Sequence, residues 1–244
     1  MSSNNLLVEL FVEELPPKAL KKLGESFAGS VLESLKGQAL TAEKSLATAY
    51  ASPRRLAVHI TEVSSQAEDK AVSQKLMPVS VGLDANGNAT PALIKKLNAL
   101  GADESAVANL KRENDGKADI LFYDALVKGA SLAEALQKAV EEALAKLPIP
   151  KVMTYQLSDG WESVNFVRPA HGLVALHGNK VVPVSVLGLK ANNQTQGHRF
   201  EASVSPVVLK DADSYEAQLQ NEGSVIPSFD ARRAEIVRQL TASA

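Results

Sequence analysis

The sequence predicts an α+β fold, mixed helices with mainly antiparallel short strands, and three features carry that prediction. Apolar residues at helical spacing recur through residues 1–150. Short β-branched runs joined by hairpin turns fill residues 151–210. No regular strand–helix–strand alternation connects them, which argues against a parallel sheet. At 244 residues, with 45% hydrophobic and 22% charged side chains, the composition is that of a globular chain. Such a chain can bury roughly three quarters of its unfolded surface.

The elements follow in order. Residues 6–12 are apolar and β-branched and read as a buried strand. Pro16-Pro17 suits the first turn of a helix, and Leu20, Leu23, Phe27, Val31 and Leu35 give that helix one apolar face before Gly37. A strand over 46–50, the turn Ala51-Ser-Pro-Arg-Arg55, and a strand over 56–63 come next. In the last of these Leu56, Val58 and Ile60 alternate with Ala57, His59 and Thr61, the pattern of a half-buried strand. Residues 66–75 are polar and carry no pattern, and residues 76–83 read as extended. Asn86-Gly87 signals a turn within 84–88. Thr90-Pro91 reads as an N-cap and first helical position, with Leu93, Ile94 and Leu97 giving a short helix and Gly101 as the stop. A short helix over 104–110, a turn over 114–117 and a strand over 118–127 follow. Ser131 and Glu134 form a capping box for a helix whose stripe is Leu132, Leu136, Val140 and Leu144, ended by Pro148-Ile-Pro150.

Beyond that point short strands are expected over 151–157, 161–167, 173–177 and 180–186, with hairpin turns at Asp159-Gly160 and Gly178-Asn179. A strand over 204–209 and helices over 212–220 and 228–240 complete the chain. In the last helix Ser228 is the cap, and Ile236, Val237 and Leu240 are expected to face inward. Trp161, just after a hairpin turn, is expected to pack in the core or at an edge. The domain reading is a first α+β part over 1–150, a strand-rich part over 151–210 and a helical segment over 211–244. Any boundary is marked by residues 147–150.

The net charge of −2 conceals an asymmetry. Residues 1–150 hold 17 basic and 19 acidic side chains and residues 211–244 hold 3 and 6, whereas residues 151–210 hold 6 and 3. A polybasic RNA-coating protein is excluded, and any anion contact has to be local. The absence of cysteine excludes disulfides and thiolate metal sites and fits a reducing compartment. The N-terminus does not read as a signal peptide, and no apolar stretch reaches membrane-spanning length. No Walker loop, dinucleotide fingerprint, His-Glu-x-x-His or nucleophile elbow is present.

The residues that could bind are arginines and histidines set in apolar sequence: Arg54 and Arg55 in a proline turn, Arg168 and His171 around Pro169, and His198 and Arg199 between Gly197 and Phe200. Guanidinium and imidazole suit phosphate and base edges, and a neighbouring aromatic can stack. The competing reading is structural: a solvated turn for Arg54 and Arg55, and for the others a buried Arg–Glu network drawing on Glu9, Glu13 or Glu14. Adjacent Glu13 and Glu14 point to opposite faces of a strand, so they read as partners for arginines or acceptors for backbone amides near the following helix rather than an acid–base pair. His59 reads as structural.

Five segments recur in a recognisable order: residues 9–17 (ELFVEELPP), 51–57 (ASPRRLA), 147–151 (LPIPK), 166–171 (FVRPAH) and 197–200 (GHRF). Together they resemble the N-terminal region of the β subunit of bacterial heterotetrameric glycyl-tRNA synthetase, over about residues 6–240. Phe11-Val12 departs from the Gly-Thr common there. Val152 and Gln196 replace basic residues, which removes positive charge from two positions. The resemblance implies a B3/B4-like domain spanning 1–210, within a cytoplasmic ligase of α2β2 form. The α subunit would bind ATP, with Mg, and glycine, and β would serve mainly recognition of tRNA(Gly). It implies no cofactor in this chain, no catalytic residue of its own, no metal, no membrane and no DNA. It also implies that HD-like, body and anticodon-binding domains would follow residue 244, so that the chain is a shortened form, inactive alone. Arg54, Arg55, Arg168, His171, His198 and Arg199 are then the candidates for tRNA or intersubunit contact. A non-catalytic scaffold for α/β assembly is the alternative, and an aminoacyl-tRNA editing hydrolase a third.

Overall fold

A computed structural model describes residues 2–84, 86–114, 116, 118–149, 151–157 and 159–243, with the backbone alone at 125 and 126. In chain order the elements are β1 (Ser3–Val12), α1 (Leu20–Gly37), β2 (Ala47–Ser52), β3 (Arg55–Ser64), β4 (Lys70–Pro78), α2 (Val79–Gly82) and α3 (Pro91–Ala99). A 3-10 turn (Glu104–Asn109), β5 (Lys111–Asn114), β6 (Asp119–Val127) and α4 (Leu132–Lys146) follow. The rest comprises β7 (Met153–Gln156), β8 (Ser163–Phe166), β9 (Ala170–His177), several two-residue strands, α5 (Tyr215–Asn221) and α6 (Phe229–Ser243). The fold class is the expected α+β, and every strand pairing within the sheets is antiparallel.

The chain divides into two compact units, one of residues 1–67 and 130–244 and the other of residues 68–129. The boundary expected at 147–150 falls within the first unit; Pro150 itself lies outside the described residues.

The first unit is built on a five-stranded sheet in which β1 is central, flanked by β9 and β3, with β2 and Lys180–Val181 at the edges. Side chains alternate across β1, so its two faces enter different cores. Leu6, Val8, Leu10 and Val12 join Leu56, Val58 and Ile60 of β3 and pack with Leu23, Phe27 and Val31 of α1 and Leu136, Ala139 and Val140 of α4. Leu7, with Ala57 and Val174, packs under Val207, Leu209, Tyr215 and Leu219. Burying a large aliphatic side chain of this kind contributes about 1.5–3 kcal/mol. Residues 55–58 of β3 are buried on both faces, not on one as the alternation suggested. Helix α1 lies close on β2 at Gly24, where a Cβ would stand 2.7 Å from the Cβ of Ala51.

Local chemistry accounts for several helix ends. Ser131 and Glu134 cap α4 reciprocally, as the pattern predicted. Thr90 accepts from the Leu93 amide at the start of α3. Helix α1 begins three residues beyond Pro17, because Pro16-Pro17 forms a preceding turn in which the Ala19 amide donates to the Pro16 carbonyl. The second unit pairs β4, β6 and β5 and has its own core of Leu93, Leu97, Ala102, Ala106 and Leu121. Residues 79–82, expected extended, turn as a helix, and residues 70–75, left without a pattern, belong to a strand.

Two further expectations are corrected. Ile236, Val237 and Leu240 do not face inward; they are 52%, 55% and 66% exposed. Helix α6 is attached through its N-terminal end, where Asp230 pairs with Lys21 at 3.0 Å and Arg232 reaches the Ala51 carbonyl. Trp161 is 90% exposed. The Asp159 carboxylate accepts the amides of Trp161 and Glu162 at 2.9 and 3.0 Å, and this tight turn projects the indole from the hairpin tip.

Candidate nucleic-acid interface

The edge of the central sheet nearest the β2–β3 turn opens into a cleft of about 540 Å3. Phe11, Glu13, Glu14, Arg54, Arg55, His198, Arg199, Phe200 and Arg232 contribute to its lining. Four chain segments distant in sequence meet there: β1 pairs with β3, the 197–200 segment folds against the turn at Gly223, and Arg232 comes from the start of α6.

Its floor is a buried charged cluster. Glu9 faces Ala57 in register on β3, which makes Arg55 its diagonal neighbour on the same face. Both side chains are buried, and Arg55 Nε lies 3.2 Å from Glu9 Oε2. The Nε–H makes no hydrogen bond, so this contact is an ion pair without good alignment. The carboxylate is satisfied instead by close hydrogen bonds from Thr195 Oγ1 and Tyr215 Oη, one to each oxygen. Arg55 also donates to Ser52 Oγ at 3.3 Å and to the Gln196 carbonyl. Tyr215 lies against Tyr50, with ring centroids 5.2 Å apart, and Tyr50 Oη donates to Glu216 at 3.1 Å. Burial, reinforced by Glu9, raises the Tyr215 phenol well above the usual tyrosine value. Burial, then Glu216, does the same for Tyr50.

The rim is more open. Arg54 Nη2 pairs with Glu13 Oε1 at 3.1 Å, and His171 Nε2 lies 2.9 Å from the same oxygen. The guanidinium carbons of Arg54 and Arg55 stand 4.9 and 5.4 Å from the Phe11 ring centroid, within cation–π range. Arg232 donates to the carbonyls of Ile226 and Ala51, each at 3.0 Å, and among the described residues no carboxylate pairs with it. Burial and then the nearby Arg55 charge lower its pKa.

The 197–200 segment is held by backbone. A Cβ at Gly197 would fall 2.7 Å from Gly223 Cα, so the chains pass too closely for any side chain there. The His198 amide donates to the Gly223 carbonyl at 2.6 Å. His198 Nδ1 in turn accepts the amides of Phe200 and Glu201 at 3.4 and 3.1 Å. That turn leaves Arg199 exposed and Phe200 83% exposed.

Of the six candidate residues, Arg54, Arg55, His198 and Arg199 line this one cleft. His171 reaches it only through Glu13. Arg168 does not line it: its Nε donates to the Glu14 carbonyl at 2.9 Å. The buried Arg–Glu pair is made by Arg55 with Glu9, so Arg55 is no solvated turn residue; His171 does meet Glu13, but in a partly exposed pair. Glu13 partners an arginine as expected; both glutamates lie just past the end of β1, and Glu14 offers its backbone carbonyl to Arg168. His59 is tied to Asp213 at 2.7 Å. The reading of the sequence missed Arg232, Thr195 and Tyr215. Arg232 had a signal, an Arg-Arg pair in the first turns of a helix, but Thr195 and Tyr215 had none.

A family profile described as "Glycyl-tRNA synthetase beta subunit" matches residues 6–244. The chain belongs to that family. It is 68% identical over 248 residues to a glycine–tRNA ligase beta subunit of Dechloromonas aromatica (strain RCB), covering all of this chain and 35% of the relative. It is 68% identical over 245 residues to that of Acidovorax sp. (strain JS42), covering all of this chain and 34% of the relative. With the protein of the same name from Janthinobacterium sp. (strain Marseille) it shares 66% over 244 residues, covering all of this chain and 35% of the relative. The chain thus spans about a third of the length of these glycyl-tRNA synthetase beta subunits. Among the described residues no helix is long and apolar enough to cross a membrane.

Proposed function

We propose that this chain acts as the N-terminal, tRNA-contacting part of the β subunit of an α2β2 glycine–tRNA ligase. The complete enzyme joins glycine to tRNA(Gly) with ATP, releasing AMP and diphosphate. ATP, with its Mg, and glycine are assigned to the α subunit in this reading, and the chain itself carries no adenylate chemistry. The supporting observation is the arginine-rimmed cleft, where Arg199 and Arg232 have no carboxylate partner among the described residues. Charge of that kind, Arg199 on a turn preset by Gly197 and His198 and Arg232 near the start of α6, suits phosphate oxygens. Arg54 and Arg55 are held in place by Glu13 and Glu9, which balance their charge.

The test is tRNA binding by this chain as salt is raised. Each phosphate contact releases counterions, so the logarithm of affinity falls with the logarithm of salt by roughly 0.7–0.9 per contact. Binding that weakens in this way supports the reading. A chain that binds no tRNA, but is retained by purified α subunit, supports a scaffold role instead. The exposed Ile236, Val237 and Leu240 of α6 favour that second reading. Glycine charging by α subunit mixed with this chain is expected to stay at background, and to appear with a full-length β subunit.

A further inference from the structure

We infer that the cleft seats one unpaired nucleotide, its phosphate against Arg199 and Arg232 and its base on the exposed ring of Phe200. This rests on the RNA-contact reading above and narrows it from RNA in general to single-stranded RNA.

The Phe200 ring is the first reason. A phenylalanine that is 83% exposed forfeits its burial, yet this one is held in position. His198 Nδ1 anchors the amides on either side of the Phe200 carbonyl, and the His198 ring meets the Phe200 ring edge-on at 6.3 Å. A ring fixed before binding loses little conformational freedom when a base stacks on it. Only an unpaired base can offer a whole face to such a platform, because the faces of a duplex are already stacked.

Charge is the second reason. Arg55 is neutralised from below by Glu9, whereas Arg232 keeps its charge among carbonyls while facing Arg55. Burial first, and then the Arg55 charge, lower the Arg232 pKa, and an anion placed in the cleft offsets both. Arg199 stands on the same side with no hydrogen bond or ion pair among the described residues. The cleft volume, about 540 Å3, lies within the range of small-molecule sites and is too small for a duplex. Glu14, also in the lining and unpaired among the described residues, disfavours a second phosphate and can accept from a base amino group.

The experiment uses the whole chain and a dye-labelled single-stranded RNA of about 12 nucleotides, a duplex of the same length, and tRNA, each followed by fluorescence anisotropy. The single strand is expected to bind more tightly than the duplex. Phe200→Ala is expected to weaken single-strand binding on the order of ten-fold, as stacking contributions of about 1–3 kcal/mol per base imply. Arg199→Gln should reduce the salt slope by about one. Both positions are exposed, so circular dichroism and melting of the variants should match the parent. Wild-type binding by Phe200→Ala, or equal affinity for duplex and single strand, overturns the nucleotide seat while tRNA binding keeps the broader reading. Absence of binding of any RNA by the parent chain, tRNA included, overturns both.

Discussion

The floor and the rim of the cleft use the same residue types and put them to opposite uses. Arg54 and Arg55 are adjacent, and each pairs with a glutamate of the β1 segment, Glu13 and Glu9 respectively. Yet the Arg55–Glu9 pair is sealed, with Thr195 and Tyr215 completing the carboxylate, while the Arg54–Glu13 pair stays partly in water and shares its oxygen with His171. Arg54 sits in the β2–β3 turn and Arg55 opens β3, and the cover that brings Thr195 and Tyr215 onto Glu9 seals only the second pair. A buried carboxylate must have every lone pair accounted for, since an unpaired charge in the interior is far costlier than one at the surface. The floor is therefore structural, and the rim pair stays in contact with water.

The contrast is broken or sharpened by measurement. The largest effect is expected at Glu9. Glu9→Leu leaves Arg55 buried without its counter-charge and should cost on the order of 3–5 kcal/mol in urea unfolding. Adding Arg55→Met should recover much of that loss, a coupling read from the double-mutant cycle. If the single substitution cost less than about 1 kcal/mol, the floor would be no more structural than the rim.

Tyr215→Phe removes one donor to Glu9 and should cost about 1–3 kcal/mol. It should also change the response to alkali. Tyr50 and Tyr215 both have raised folded-state pKa values, through burial first and then the nearby glutamates. The unfolded phenols ionise near pH ~10, so the unfolded chain binds fewer protons above that pH than the folded one. The tyrosine contribution is whole below pH ~10 and is lost as pH rises towards the folded values. The urea midpoint of the parent should therefore fall from about pH 10 upward, and fall less steeply in Tyr215→Phe.

At the rim, Glu13→Ala or Arg54→Ala should change stability by less than about 1 kcal/mol, because the pair is partly hydrated. A loss as large as that at Glu9 would erase the distinction between the two layers. Trp161→Ala is expected to have the smallest effect, within about 0.5 kcal/mol, since the indole is solvent-exposed.

The amino-acid sequence by itself determined much of the element pattern. The capping box at Ser131 and Glu134, the Thr90-Pro91 start of α3 and the apolar stripe of α1 depend on residues three or four apart, and local physics suffices for them. It also carried family membership, through five ordered segments. It did not determine which apolar stripe is covered: Ile236, Val237 and Leu240 have helical spacing but no surface to meet among the described residues, and Trp161 is aimed outward by a turn. Nor did it separate Arg55 from Arg54, or announce that Thr195 and Tyr215 close over Glu9 from 186 and 206 residues away. Pairing of β1 with β3 and β9, and the cover over one sheet face, made those choices. Burial of a charge depends on what the whole chain places above it, and no local pattern records that.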